Sequence, residues 1–196
     1  MLQDQPTVVA AFLDENQKRL ELKSHLMGVY NFQNIMSAIV IGRYFKVPSD
    51  KIKTAIEAYI PQNNRSQIIH KATNTYLLDA YNANPTSMQN ALQYFAEIEA
   101  SSKVAILGDM LELGDYSQQE HEKILTQALQ LPIDTILLVG KAFGQVSTDH
   151  LPQVHHFEQT NEVRAWLSEQ SLENCYFLIK GSRGIGLEGI LKESTT

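Results

Sequence analysis

Cysteine is almost absent. Cys175 stands alone in 196 residues, so no disulfide can form within the chain. It adjoins the apolar run Tyr176-Phe177-Leu178-Ile179, where a buried, unreactive thiol is expected. The scarcity fits a reducing, cytoplasmic compartment. Positive charge is also short: 16 Lys and Arg stand against 22 Asp and Glu, a formal net charge of -6. No basic stripe offers itself to a phosphate backbone, so nucleic acid is not expected as a partner. No apolar run approaches the roughly 20 residues that cross a bilayer, so no membrane insertion is expected. The start, Met1-Leu2-Gln3-Asp4-Gln5-Pro6, lacks the basic and apolar regions of a signal peptide. The phosphate-binding pattern G-x-x-x-x-G-K-[ST] is missing too; Gly140-Lys141 is followed by Ala142, which has no hydroxyl to offer a metal. Internal repeats and low-complexity tracts are absent.

What is present reads as globular: 43% hydrophobic and 19% charged residues. The length suits one or two domains and is enough to bury a core without staples. Thr7 to Leu13, a polar turn at Asp14-Glu15-Asn16-Gln17, and alternation over Arg19 to Lys23 predict a hairpin. Ile35, Met36, Ile39, Val40 and Phe45 recur at helical spacing over Phe32 to Phe45. Pro48 and Ser49 open a second helix through Tyr59. Ile60-Pro61-Gln62-Asn63-Asn64 breaks it and marks a domain boundary, giving domains 1–62 and 63–196.

Beyond the boundary, strands alternate with helices. Strands are predicted at Thr75 to Ala80, Val104 to Leu107, Thr135 to Val139, Val154 to Phe157 and Tyr176 to Ile179. Capping boxes are predicted at Thr86 with Gln89 and at Ser117 with Glu120. Thr160 is expected to cap a helix through Glu169, and Leu187 to Leu191 to start a last one. The apolar strands lack alternation, as where both sheet faces are covered. The fold class is therefore α/β: a Rossmann-like, open, mainly parallel sheet with helices on both faces, preceded by a small α+β segment. Ligands of such sheets bind beyond the carboxyl ends of strands. Chemistry belongs in the loops after Leu78, Leu107, Val139 and Ile179.

Three of these loops hold candidate residues. Asp79-Ala80-Tyr81-Asn82-Ala83-Asn84-Pro85 is made of turn formers, yet its aspartate is placed to accept from ribose hydroxyls. Gly108-Asp109-Met110-Leu111-Glu112-Leu113-Gly114 reads first as a tight turn around a buried Met-Leu-Leu plug, with His121 placed to orient Asp109 or Glu112. Lys180-Gly181-Ser182-Arg183-Gly184 gathers donors ahead of a helix, and an anion site is favoured over a solvated basic turn. Two further patterns are decoys. Gly184-Ile185-Gly186-Leu187-Glu188-Gly189 fits G-x-G-x-x-G but has no ribose-binding acid about 20 residues on. His155 and His156 are neighbours on a strand, so they point to opposite faces.

In this order, these stretches resemble the Mur ligase family, and within it the branch that adds D-alanyl-D-alanine to a peptidoglycan precursor. Gly28-Val29-Tyr30-Asn31-Phe32-Gln33-Asn34 resembles the G-x-H-N-x-x-N that closes the family's central ATPase domain, with Tyr30 where histidine is usual. Asn64-Arg65-Ser66 resembles the arginine past the interdomain linker. Asp79 to Met88 resembles D-x-Y-N-A-N-x-x-S-M. Gly108 to Gly114 with His121, and Lys180 to Arg183, complete the set, which covers nearly the whole chain from Leu26 onward.

The resemblance implies that residues 1–62 are the tail of the central ATPase domain and residues 63–196 the carboxy-terminal Rossmann-like domain. Asn34 would face adenine with Asn31 beside it. Arg65 would reach ATP phosphates, and Asp79 would bind ribose with Tyr81, Asn82 and Asn84 nearby. Lys180, Ser182 and Arg183 would receive the carboxylate of D-alanyl-D-alanine. The other substrate would be UDP-N-acetylmuramoyl-tripeptide, activated by ATP with Mg2+ as an acyl phosphate. The missing phosphate loop, and with it the catalytic residues, would lie upstream of Met1 with the amino-terminal and central domains, leaving this segment inactive by itself. Two other readings share the same sheet. One is a free-standing, non-catalytic nucleotide-binding module. The other is a folylpolyglutamate synthase-like ligase, against which the Tyr-Asn-Ala-Asn and Lys-Gly-Ser-Arg loops argue.

Overall fold

A computed structural model describes residues 1–2, 7–148 and 150–192. Residues 3–6, in the amino-terminal segment considered above, lie outside it. The chain divides into two compact units, Met1–Gln62 and Asn63–Thr196.

The first unit is a hairpin and two helices. Strand β1 (Val9–Leu13) pairs antiparallel with β2 (Arg19–Lys23). The turn is held by Asp14, whose carboxylate accepts the backbone N–H groups of Asn16 and Lys18 at 2.8 Å. Helix α1 (Val29–Tyr44) begins earlier than its apolar spacing predicted, directly after Gly28. Helix α2 (Ser49–Ala58) follows Pro48, and the carboxylate of Glu15 accepts from both the N–H and the hydroxyl of Ser49. Ile35, Ile39 and Ile52 pack with Val8, Ala10, Phe12 and Leu22 in a small core. Helix α1 exposes large apolar residues toward its carboxyl end: Val40, Ile41, Tyr44 and Phe45 on or just past it are exposed, beside the polar Gln33, Asn34, Ser37 and Arg43.

The second unit is a six-stranded sheet in the order β3-β4-β8-β5-β6-β7. Its strands are β3 (Gln67–Lys71), β4 (Asn74–Asp79), β5 (Ser102–Gly108), β6 (Thr135–Val139), β7 (Val154–Phe157) and β8 (Cys175–Lys180). All neighbours are parallel except β3 with β4. Helices α3 (Pro85–Glu97), α4 (Ser117–Leu129) and α5 (Thr160–Glu169) make the connections. Leu78, Val104, Ile106, Leu137, Val139, Phe177 and Ile179 form one core layer with Val163 of α5. The alternate positions Leu77, Ala105, Leu107, Ile136, Leu138 and Leu178 point to the other face and are equally buried. Double coverage is why these strands read as unbroken apolar runs.

Several local expectations are corrected. Strand β3 was not foreseen: its turn to β4 runs through Ala72, a non-glycine at φ 52° that gives no turn signal. The cap of α3 is Asn84, which accepts from the N–H of Ser87 at 2.8 Å, and not Thr86 with Gln89. Ser117 is already inside α4, behind a short 3-10 turn at Gly114–Tyr116; Glu120 pairs with Lys123 instead. Helix α5 starts after Gln159, where the Glu162 carboxylate accepts the N–H groups of Glu158 and Gln159. The hydroxyl of Thr160 donates to the carbonyl of Ile185. The expected last helix, Leu187–Leu191, is a 3-10 turn.

Candidate functional site

Parallel pairing sets the carboxyl ends of β4, β8 and β5 side by side, with Asp79 opposite Lys180 and Lys180 opposite Leu107. The three candidate loops therefore leave the sheet at one edge. The second and third loops approach closely because both carry glycines. A Cβ on Gly181 would lie 2.9 Å from the Cα of Gly108, closer than real side chains tolerate.

At the first strand end, Lys180 Nζ donates to Asp79 Oδ2 at 2.6 Å and to the carbonyl of Asn82 at 3.3 Å. Asp79 Oδ1 accepts the N–H of Ser66 at 3.1 Å. Lys180 is almost wholly buried, with 3% of its side chain exposed, whereas Asp79 keeps 18%. The lysine thus holds a carboxylate of its own chain, and the aspartate keeps a face toward solvent. Asn82 is exposed, and the side-chain oxygen of Asn84 is used as the helix cap.

Arg65 projects from a strained turn. Asn63, Asn64 and Ser66 all have positive φ, 59°, 59° and 47°; asparagine tolerates that region, serine less so. The turn is held by Gln67, whose side-chain oxygen accepts the N–H of Asn64, and by Asp79. The Arg65 guanidinium lies 3.8 Å from the centre of the Tyr81 ring, and that of Arg183 lies 5.3 Å from it.

The second loop is a structural lock. Asp109, 4% exposed, accepts the N–H groups of Ala142 and Phe143 at 2.9 Å each. Gly140 turns past it at φ +118°, where a Cβ would meet the carboxylate at 2.4 Å. His121 is fully buried. Its Nδ1–H donates to the carbonyl of Ser117 at 2.7 Å, and its Nε2 accepts the N–H of Met110 at 3.0 Å. It therefore orients the backbone of Met110, while its Nε2 stays 3.8 Å from Asp109. The expected apolar plug is only partly formed: Met110 is buried, but Leu111 is 46% exposed. Ser182 is buried and its hydroxyl accepts the N–H of Leu111 at 2.9 Å, tying the second loop to the third.

An open groove of about 570 Å³ is lined by the loops that follow β5, β6 and β8 and by the start of α5, with Leu111, Lys141, Ile185 and Asn161 among its residues. In the first unit, Asn31 is buried; its amide donates to the carbonyl of Met27 at 2.7 Å and its oxygen accepts from Asn34 at 3.0 Å. Asn34 is exposed at the rim of an apolar groove of about 350 Å³ lined by Ile35, Ala38, Ile56 and Tyr59.

A family profile, the glutamate ligase domain of Mur ligases, matches residues 64–183. The chain belongs to the Mur ligase family. Curated relatives of this family share clear identity with it. UDP-N-acetylmuramoyl-tripeptide--D-alanyl-D-alanine ligase of Treponema pallidum is 34% identical over 83% of this chain, and the Bacillus subtilis enzyme of that name 30% over 86%. The chain spans 36% and 38% of their lengths. A crystal structure of MurF from Acinetobacter baumannii superposes with a TM-score of 0.80 at 28% identity, covering 95% of this chain and 45% of that one.

The decoy patterns take other roles. Gly184 to Gly189 builds two 3-10 turns. His155 packs against Trp166, while His156 donates to the carbonyl of Gly140. Among the described residues, no group of three or more His, Cys, Asp or Glu side chains forms a metal site, and no helix is long and apolar enough to cross a membrane. Sequence reasoning missed the Asp79–Lys180 pair and the arginines around Tyr81. Only the pairing register, invisible before the sheet order is known, brings them together.

Proposed function

We propose that this chain is the carboxy-terminal part of a cytoplasmic, ATP-dependent ligase that joins D-alanyl-D-alanine to UDP-N-acetylmuramoyl-tripeptide in peptidoglycan (cell wall) synthesis. The observation that carries this is the family match combined with relatives of that one activity at 30–34% identity over most of the chain. In the proposed reaction, the tripeptide carboxylate takes the γ-phosphate of ATP as an acyl phosphate, and the dipeptide amine displaces phosphate. The phosphate loop and the residues holding magnesium belong to the preceding part of such a ligase. The exposed Val40, Ile41 and Tyr44 on α1 support that placement, since large apolar side chains grouped on a helix normally find a packing partner.

The second unit fits the nucleotide in part. Asp79 keeps an exposed face for ribose hydroxyls while Lys180 and Ser66 hold it in place, and Arg65 supplies a guanidinium for phosphate. Tyr81, Asn82 and Asn84 shape the loop beside them. Ser182 and Arg183 lie on the loop assigned to the dipeptide carboxylate, with Lys180 acting through Asp79. Asn34, held by Asn31, is assigned to adenine. Kinetics of the longer ligase test these assignments. Asp79→Ala should raise the KM for ATP about ten-fold, and Arg183→Lys should raise that for the dipeptide selectively, because lysine cannot fork onto a carboxylate. Equal effects of both variants on both substrates would contradict the division of roles.

A further inference from the structure

His121 is a polar side chain in a wholly buried place. It comes from α4, whose other buried residues Ile124, Leu125 and Ala128 are apolar. Phe143 packs edge-on against its ring, with the ring centroids 4.5 Å apart. An apolar side chain would fill that space without desolvating two ring nitrogens. What the imidazole adds is therefore its hydrogen bonds, and their partners fix its tautomer. The carbonyl of Ser117 only accepts, so Nδ1 carries the proton. The N–H of Met110 only donates, so Nε2 is bare. On either side of Met110 the loop is bonded to Ser182. The carbonyl of Asp109 accepts the Ser182 N–H at 3.1 Å, and the N–H of Leu111 donates to the Ser182 hydroxyl at 2.9 Å. Three consecutive residues are thus fixed in turn by Ser182, His121 and Ser182.

We infer that His121 is a positioning residue for dipeptide recognition, acting through Ser182. By holding Met110 it keeps the Leu111 N–H on the Ser182 oxygen. The hydroxyl then serves as an acceptor inside the protein, and among the described residues its own proton has no acceptor. That proton is left for the incoming carboxylate. A hydroxyl that already accepts a hydrogen bond is polarised into a stronger donor. The inference rests on the reading that Ser182 receives the carboxylate of D-alanyl-D-alanine, and it adds a residue that does not itself touch the dipeptide.

The test joins spectroscopy of this chain to kinetics of the longer ligase. In the wild-type chain, long-range proton–nitrogen correlation should show His121 protonated at Nδ1 and bare at Nε2. His121→Asn still reaches Ser117 but falls short of Met110, whereas His121→Gln is long enough to offer Met110 an oxygen. The Leu111 amide should exchange faster in the first variant and stay protected in the second. In the longer ligase, His121→Asn should raise the KM for D-alanyl-D-alanine about ten-fold, with kcat and the KM for ATP changed less than about three-fold. His121→Gln should restore most of that loss. Added to Ser182→Ala, His121→Asn should raise the dipeptide KM no further, since both act on one contact. If Ser182→Ala raises that KM while His121→Asn lowers kcat alone, or adds fully to Ser182→Ala, the histidine only supports the fold and this inference alone is overturned. If Ser182→Ala leaves the dipeptide KM unchanged, the carboxylate reading fails and the inference falls with it. His121→Leu replaces His121→Asn if the latter does not fold, and a protonated Nε2 in the wild type overturns the inference whatever the variants do.

Discussion

Lys180 and Asp79 are opposite one another in the register of β8 and β4, and their side chains meet at 2.6 Å with the lysine almost wholly buried. The pair joins two strand ends that carry the candidate loops. Removing one member leaves the other desolvated without its partner, which costs more than the intact pair contributes. Lys180→Met should destabilise the chain by about 3 kcal/mol in urea denaturation, and Asp79→Asn by less. The double variant should lose less than the sum, since the residues share one interaction. A loss below about 0.5 kcal/mol for Lys180→Met would show that the pair is not structural.

Asp109 and Gly140 make a second, separable prediction. Both carboxylate oxygens of Asp109 accept backbone N–H groups, and an asparagine offers only one acceptor. Asp109→Asn should cost about 2 kcal/mol of stability. Gly140→Ala should cost at least as much, because its Cβ would meet that carboxylate at 2.4 Å on a backbone at φ +118°. Thermal denaturation of the two variants checks this. An Asp109→Asn chain of unchanged stability would argue for a chemical role instead.

Acid should loosen the first unit. Hydrogen bonding from the Ser49 side chain holds the Glu15 carboxyl below its ordinary 4.5, and that from Lys53 does the same for Glu57. A depressed carboxyl stabilises the folded state above its unfolded pKa, and that stabilisation is lost as pH falls through the folded value. Amide exchange in β1, β2 and α2 should therefore accelerate as pH drops below about 4.5, after correction for intrinsic rates. Glu15→Gln should flatten the change near Ser49. An unaltered pH profile in that variant would contradict the assignment.

How much of this was legible depended on whether the signal was local. The parallel strands were plain because double burial makes them apolar throughout, as in Thr135 to Val139. The two compact units part between Gln62 and Asn63, within the stretch Ile60 to Asn64. Helix starts were misplaced by a residue or two because Asn84 and Glu162 outcompete the neighbouring Thr86 and Thr160 for the free N–H groups. Strand β3 was hidden by a turn built on Ala72. Within the site, Asp79, Tyr81 and Arg65 were named from their motifs. That Lys180 is buried against Asp79, and that Ser182 accepts from Leu111, follow from strand order and loop approach, which no single stretch of sequence encodes.

The chain by itself should not turn over ATP, because G-x-x-x-x-G-K-[ST] is missing from its sequence. A phosphate-release assay at high protein concentration checks this. Magnesium-dependent release that tracks the protein through repurification would contradict it.

The central claim is tested most directly by mass spectrometry of product made by the longer protein to which this segment is assigned. With UDP-N-acetylmuramoyl-tripeptide, ATP and D-alanyl-D-alanine together, the account predicts a precursor lengthened by both alanines, with one phosphate released per product and none when the dipeptide is left out. Production of no lengthened precursor, or equal use of glutamate in place of the dipeptide, would contradict it.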